Sequence, residues 1–467
     1  MRADARHLVL AALGLLLTAC VSLLPPANVP ITQVKLADGY YPPVELSDGG
    51  HQVLLVFSGG GTRAAALSYG VLQELRDTYV ADSGKPVRLL NHVRYIASVS
   101  GGSFTAAYYG LYGDDTFKTY EGDFLHANIQ GALIRGFFNP TNWLKSIFSG
   151  FDRTEMAVDY YNNTVFRGAT FNSLRAANGP FIEIQSTDIA YGNSFGFTQS
   201  NFDVICSDLG AFSVARAVTA SSAVPILFPS ITLKNNGGHC DNAAAPAVDR
   251  QGIQKAKGAH DEGDDVNEIP ANMRSYLDVQ TNAYLHLVDG GVADNLGVGS
   301  ILQRMNVDSV LRVAAQKNPP KSILLILVNA TVEPESTVSH SPFDPGVRET
   351  ASILLRNLIT RQTLQTRQRL YARVHEVNAE LKKRGKNMPV YLAEVSFEGF
   401  DSLATRRYFN RLPTTLELPS AVVNNLIAAG RTLLRTSPQY QQFVRDQDAM
   451  LVTSAVEKIV PMRGGAK

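Results

Sequence analysis

Two stretches of the chain, residues 52–57 and 322–328, are apolar along almost their whole length, with no polar alternation. A strand with one wet face alternates, so strings like these need cover on both faces. Residues 95–99, 181–185 and 284–288 are also strand-like, and 390–395 is a sixth candidate. Between them lie segments of helix-compatible composition, such as 64–80 and 103–112. Buried strands alternating with helices dictate an α/β fold, a three-layer α/β/α arrangement around a mostly parallel central sheet. The last hundred-odd residues turn helical and Arg-rich and read as an appendage packed on that sheet. Residues 235–282 are polar and charged and read as a surface insertion.

Charge excludes one class of partner. With 43 Lys+Arg against 42 Asp+Glu, nothing electrostatic points to nucleic acid. The amino-terminus carries an address instead. Arg2 and Arg6 precede an apolar run over residues 8–17, too short for a comfortable permanent span and flanked as a signal peptide is. Leu17-Thr18-Ala19-Cys20 resembles the lipobox of bacterial lipoproteins, which implies cleavage before Cys20 and lipidation of its thiol. Removal of residues 1–19 would leave the chain formally neutral. Val21 follows the cysteine where an Asp would suggest inner-membrane retention, so outer-membrane attachment is the expectation. Residues 20–48 then form a Pro-punctuated tether. Export leaves Cys206 and Cys240 in an oxidising compartment. They are either paired, closing a loop of about 35 residues for ~3–4 kcal/mol, or two buried free thiols.

Three motifs stand at predicted strand ends, where open α/β sheets bind ligands. Ser58-Gly59-Gly60-Gly61-Thr62-Arg63 follows the first strand and precedes a helix. Successive glycines beside a helix N-terminus form a nest of N–H groups that suits a phosphate or a developing oxyanion. It lacks the ending of a nucleotide P-loop and the spacing of a dinucleotide fingerprint. Ser98-Val99-Ser100-Gly101-Gly102-Ser103 places Ser100 where a strand-to-helix elbow exposes a nucleophile. Gly102 is intact, and Ser98 stands where the elbow has Gly; Ser is the next-smallest polar choice and fits the turn, the alternative being that its Cβ crowds it. Asp289-Gly290-Gly291 follows the strand at 284–288, and its carboxylate can serve as base toward a serine hydroxyl.

In this order the three motifs resemble the patatin-like phospholipase family. Ala220-Ser221-Ser222-Ala223-Val224-Pro225 is similar to the family's Ala-Ser-x-Ala-x-Pro segment, and Thr187-Asp188 to its Thr-Asp element, read as structural. The likeness covers roughly residues 50–330; 409–414 and 429–431 resemble C-terminal stretches of bacterial members. It implies a Ser–Asp dyad without histidine: Ser100 as nucleophile, Asp289 as base, and Gly59, Gly60 and Gly61 with Arg63 as the oxyanion hole. Ser98 and Gly102 shape the elbow, and Gly290 and Gly291 complete the Asp-Gly-Gly motif. No cofactor or metal is required. The substrate would be a phospholipid or another fatty-acyl ester, cleaved through an acyl-enzyme. Two rival readings are a catalytically idle lipid-binding envelope lipoprotein and an acyltransferase with the same dyad.

The domain layout expected is a signal peptide at 1–19, the tether at 20–48, a patatin-like catalytic domain at 49–335 and a helical region at 336–467. Other features are weighed beside it. His286 is the candidate base of a competing Ser-His-Asp triad. His239, Cys240, Asp241 and His260 match no defensible zinc spacing. Leu133, Ile134, Phe137, Phe138, Trp143, Leu144, Ile147, Phe148 and Phe151 form either a core-covering segment or an acyl-binding lid. Residues 348–386 carry ten Lys/Arg against three Glu, as a solvated helical face or one drawn to anionic headgroups.

Overall fold

The apolar strings become the middle of an eight-stranded sheet. The computed structural model describes residues 26, 28–34, 39–42, 49–82, 85–137, 152–225, 227–238, 240, 271–332, 338, 346–447 and 449–451. β1 (His51–Phe57) and β9 (Ser322–Asn329) are buried at every position and pair in parallel. β4 (Val93–Val99) pairs on the other side of β1, and β5 (Phe181–Asp188) beyond it. β10 (Val390–Ser396) adds an edge next to β9, so five neighbouring strands run parallel. Apolar side chains on both faces are the reason these strands are central.

The remaining strands reverse direction. β6 (Asn193–Gly196) and β8 (Tyr284–Asp289) both run antiparallel to β5, and β7 (Ile231–Lys234) runs antiparallel to β8. β4 ends with Val99 opposite Gln185, and β8 ends with Asp289 opposite the next residue, Ser186. A reversed strand thus delivers its C-terminal carboxylate to the level at which β4 hands over to Ser100. The third motif lies at a strand end as expected, but the strand is an antiparallel one.

Two helical layers flank the sheet. α1 (Gly61–Arg76), α2 (Gly101–Tyr112), α3 (Val214–Ser222) and α6 (Ser420–Thr436) neighbour one another. α4 (Gly291–Asp294) and the 37-residue α5 (Val347–Lys383) pack together with helices Gly299–Arg304 and Val307–Ala314. The expected helix at 64–80 ends earlier, at Arg76. Thr78 and Val80 are β-branched and enter β2 (Thr78–Asp82), which pairs with β3 (Lys85–Arg88) and β11 (Met450–Leu451) in a small second sheet.

The C-terminal region is helical, and it also supplies β10 and the partner of α1. A Cβ on Gly70 of α1 would lie 2.1 Å from the Ile427 carbonyl oxygen, and one on Gly430 of α6 2.2 Å from that of Leu67. The two helices therefore touch backbone to backbone. Beside this crossing the fully buried Glu74 accepts from Arg435 at 2.7 and 2.9 Å, and Arg431 pairs with Asp77 at 2.8 Å. A buried carboxylate held by a bidentate guanidinium resists separation, because either group alone is costly to leave unpaired.

Of the two cysteine readings, the paired one is found: Cys206 and Cys240 are disulfide-bonded. That bond takes Cys240 out of the cluster weighed as a metal site; His239, Asp241 and His260 lie outside the described residues. So do Cys20 with the signal and most of the tether, and most of the aromatic segment after Phe137. In its described part, Leu133 packs against the core and Ile134 is exposed. No helix among the described residues is long and apolar enough to cross a membrane.

Candidate active site

Ser100 sits between β4 and α2 with φ 50° and ψ −121°, a backbone conformation that costs a non-glycine residue about 1–3 kcal/mol. Its neighbours show why the turn demands small residues. A Cβ on Gly101 would be 2.0 Å from the Gly61 carbonyl oxygen, and one on Gly102 2.7 Å from Phe57 and Ser58 atoms. The elbow and the glycine-rich loop after β1 are thus in direct contact. Ser98 fits without crowding; its hydroxyl donates to the Glu183 carbonyl of β5 at 3.0 Å.

The strained turn is held by Ser221. The Ser100 N–H donates to Ser221 Oγ at 2.8 Å, and that hydroxyl donates to the Gln185 carbonyl at 2.5 Å. Ser221 lies in the last turn of α3, in the segment that the sequence marks by Ala-Ser-x-Ala-x-Pro. Two carbonyls of this segment complete the frame: the Asp289 N–H donates to Ala223 O, and the Gly290 N–H to Ser221 O.

Ser100 Oγ donates to Asp289 Oδ2 at 2.8 Å. The other carboxylate oxygen accepts from the Gly291 N–H at 2.7 Å. Thr187 fixes the strand end from below: its hydroxyl donates to the Asp289 carbonyl at 2.9 Å and accepts from the Ala293 N–H at 3.1 Å. The two residues are 7% and 8% exposed, dry enough for burial to matter. Desolvation pushes the Asp289 carboxyl up to about 6, with the Gly291 N–H and the Ser100 hydroxyl opposing. A carboxylate so placed is a better proton acceptor than an exposed Asp.

The histidine rival is elsewhere. His286 is on the exposed side of β8, with Nδ1 3.0 Å from Thr232 Oγ1. Asp188 of the Thr-Asp element accepts from Tyr276 OH at 2.7 Å and from the Ala190 N–H at 3.1 Å. Those contacts fit the structural reading given to it.

The glycine loop divides its labour differently from the sequence expectation. The Gly59 N–H donates to the Asn295 carbonyl at 2.9 Å, so that amide is already engaged. Gly59 matters for space: a Cβ there would lie 2.4 Å from Asn295 Oδ1 and 3.4 Å from Ser100 Cβ. Gly60 has φ 140° and Gly61 φ 59°, both in the region that favours glycine. The Gly60 N–H has no hydrogen-bond partner among the described residues.

Arg63, placed with the oxyanion group by the motif, is corrected to a clamp. Its buried guanidinium donates to Ala330 O at 2.9 Å, Leu412 O at 2.7 Å and Thr414 Oγ1 at 3.1 Å. Burial without a carboxylate partner pulls it down to about 10. The Thr62 N–H donates to the Thr415 carbonyl at 2.9 Å, and that oxygen would meet a Cβ on Gly61 at 2.3 Å. The loop is therefore strapped to residues 412–415 of the C-terminal region.

Asn295, unremarked in the sequence, joins three strand ends. It accepts from Gly59 N–H through its carbonyl, donates from Nδ2 to Thr331 Oγ1 at 3.0 Å, and its Oδ1 fills the space beside Gly59 and Gly291. An Asn six residues after the motif Asp was its only local signal.

These elements coincide with a known family. A family model described as patatin-like phospholipase matches residues 55–302. Among solved structures, human GIVD cytosolic phospholipase A2 matches with TM-score 0.35 and 14% identity, over 65% of this chain and half the length of that one. No curated protein matches the chain. The matched stretch covers more than half of the sequence and contains all three strand-end motifs, and the chain belongs to the patatin-like phospholipase family.

Proposed function

We propose that this chain is a serine acyl hydrolase of phospholipase A or lysophospholipase type, working through a Ser100–Asp289 dyad. The observation that carries the reading is the 2.8 Å bond from Ser100 Oγ to a buried carboxylate already pushed up to about 6. Ser100 Oγ attacks the ester carbonyl while Asp289 Oδ2 takes its proton. The tetrahedral oxyanion is met by the Gly60 and Gly61 N–H groups at the start of α1, where the helix dipole adds positive potential. Collapse breaks the ester C–O bond, and Asp289 returns the proton to the departing alcohol. Water then attacks the acyl-Ser100 ester with Asp289 again as base, releasing fatty acid. No histidine takes part.

Labelling by a fluorophosphonate probe tests this directly. Wild type labels, Ser100→Ala does not, and Asp289→Asn labels at a small fraction of the wild-type rate. Undiminished labelling of Ser100→Ala would sink the assignment. Products from a mixed phospholipid extract, read by mass spectrometry, identify the bond cut.

The same proposal places the enzyme in the bacterial envelope, anchored through a lipidated Cys20 with the outer membrane as its site. The lipobox-like sequence supports this, as does the Cys206–Cys240 disulfide, which suits an oxidising compartment. Metabolic palmitate labelling should be lost in Cys20→Ser; retained label would refute the anchor.

A further inference from the structure

The long helix α5 has two dissimilar halves. Its C-terminal half is anchored by Thr363, Leu370, Val374, Val377 and Leu381, a buried stripe at helical spacing. Charges there are complemented: Arg373 meets Glu376 at 3.3 Å, and Glu380 takes both Lys383 and Arg384. The N-terminal half has no buried residue among those described from 349 to 362. Leu354 is 64% exposed and Leu358 49% exposed, and Arg361 continues their stripe at i+7. Residue 354 precedes buried Thr363 by nine positions, two and a half turns, so the leucines lie on the side opposite the packed one.

Charge on this half is one-sided. Residues 347–369 hold Arg348, Arg356, Arg361, Arg367 and Arg369 against Glu349 alone. Arg367 pairs with Glu394 at 2.8 Å, whereas Arg356, Arg361 and Arg369 have no ion pair among the described residues. Single exposed leucines are ordinary on a protein surface. Leucines interleaved with unpaired arginines on one helix face are the chemistry of an anionic membrane interface, where apolar side chains enter and cations stay with the headgroups. α5 also packs against α4, the turn that follows Asp289, so the helix as a whole neighbours the end of the sheet that carries the dyad.

We infer that the N-terminal half of α5 is a membrane-docking face that seats the enzyme on an anionic bilayer through Leu354, Leu358, Arg361 and Arg369. This rests on the lipid-hydrolase reading for the choice of occupant, not for the surface itself.

The test uses the full chain carrying Ser100→Ala, so turnover cannot alter the vesicles. An environment-sensitive fluorophore on Leu354→Cys reports insertion, with Glu376→Cys as control. On vesicles containing roughly one-third phosphatidylglycerol in phosphatidylcholine, the probe at 354 should shift to the blue and the one at 376 should not. High salt should weaken the effect. Arg361→Glu combined with Arg369→Glu should lower vesicle affinity by at least about 25-fold, at about fivefold for each cation lost. Both side chains are exposed, so circular dichroism of that variant should match the parent. A probe at 354 that stays in water on every vesicle overturns the proposal, as does an affinity unmoved by the charge reversal. Burial of the probe that grows with protein concentration in the absence of vesicles also overturns it, by placing a second copy on the face. The fluorophosphonate result leaves all these readouts untouched, so failure of the dyad and failure of the surface are distinguishable.

Discussion

Ser221→Ala removes a single oxygen and should cost both stability and reactivity. That oxygen accepts from Ser100 N–H at 2.8 Å and donates to Gln185 O at 2.5 Å, in a site where Ser221 is fully buried. Alanine leaves the Ser100 N–H and the Gln185 carbonyl without this partner, and takes from Ser103 Oγ its bond at 3.1 Å as well. Each orphaned group costs about 1–3 kcal/mol. The Ser100 turn recovers part of this by relaxing, since its φ of 50° is no longer held. The net loss should be about 2–4 kcal/mol, a large fraction of the roughly 5–15 kcal/mol that stabilises a domain. Relaxation carries Ser100 Oγ away from Asp289, and a displacement of about 1 Å can cost on the order of a hundredfold in rate. Chemical unfolding midpoints and the second-order rate of fluorophosphonate labelling measure the two effects. A variant within about 0.5 kcal/mol of wild type that labels at the wild-type rate would refute the claim that this hydroxyl holds the elbow.

The Asp289 carboxyl, pushed up to about 6, should make labelling fall about tenfold per pH unit below 6 and level off above it. Its folded value lies above the usual 3.8, so its contribution to stability is greatest below about pH 4 and is lost as pH rises through 6. Asp289→Asn should therefore be as stable as wild type at pH 8, or more so by up to roughly 3 kcal/mol, while nearly inactive; a strongly destabilised Asn variant would contradict this. Arg63→Lys keeps the charge but not the three directed bonds, and should lower stability by about 2–4 kcal/mol and slow labelling; wild-type labelling would mean that residues 412–415 do not position the loop. Gly430→Ala puts a methyl 2.2 Å from the Leu67 carbonyl oxygen and should destabilise by at least about 1–3 kcal/mol in thermal melts, with an unchanged melting point excluding the close crossing.

What was legible in the sequence follows from where the information lies. The sheet core could be read because strands such as Ser322–Asn329 are short, β-branched-rich and apolar on both faces, as a strand buried between two layers must be. Ser100 and Asp289 could be placed at strand ends because each sits beside small residues that a sharp turn requires, and the pairing of the two was what the family resemblance implied. The reversal of β8 could not be read, because the direction of a strand is set by the neighbour it pairs with and not by its own six residues. Ser98 is small enough for the elbow on sequence grounds, and the Glu183 carbonyl gives its hydroxyl a place.

The residues that brace the site were hidden for a further reason. Thr62 and Arg63 lean on carbonyl oxygens of Thr415 and Leu412, some 350 positions away, and a backbone carbonyl leaves no mark on residue identity. A cation inside a glycine motif reads as an anion binder, yet the Arg63 guanidinium is consumed by neutral acceptors, and the Gly59 amide by Asn295. In a site whose donors are loop amides, motif spacing names the loop, and competition among nearby acceptors decides which amide is left for an oxyanion. Here that competition leaves the Gly60 N–H unpartnered among the described residues, while the C-terminal region engages the Thr62 N–H and the Arg63 guanidinium. The frame of the candidate site thus extends past the matched residues 55–302, to include residues 412–415.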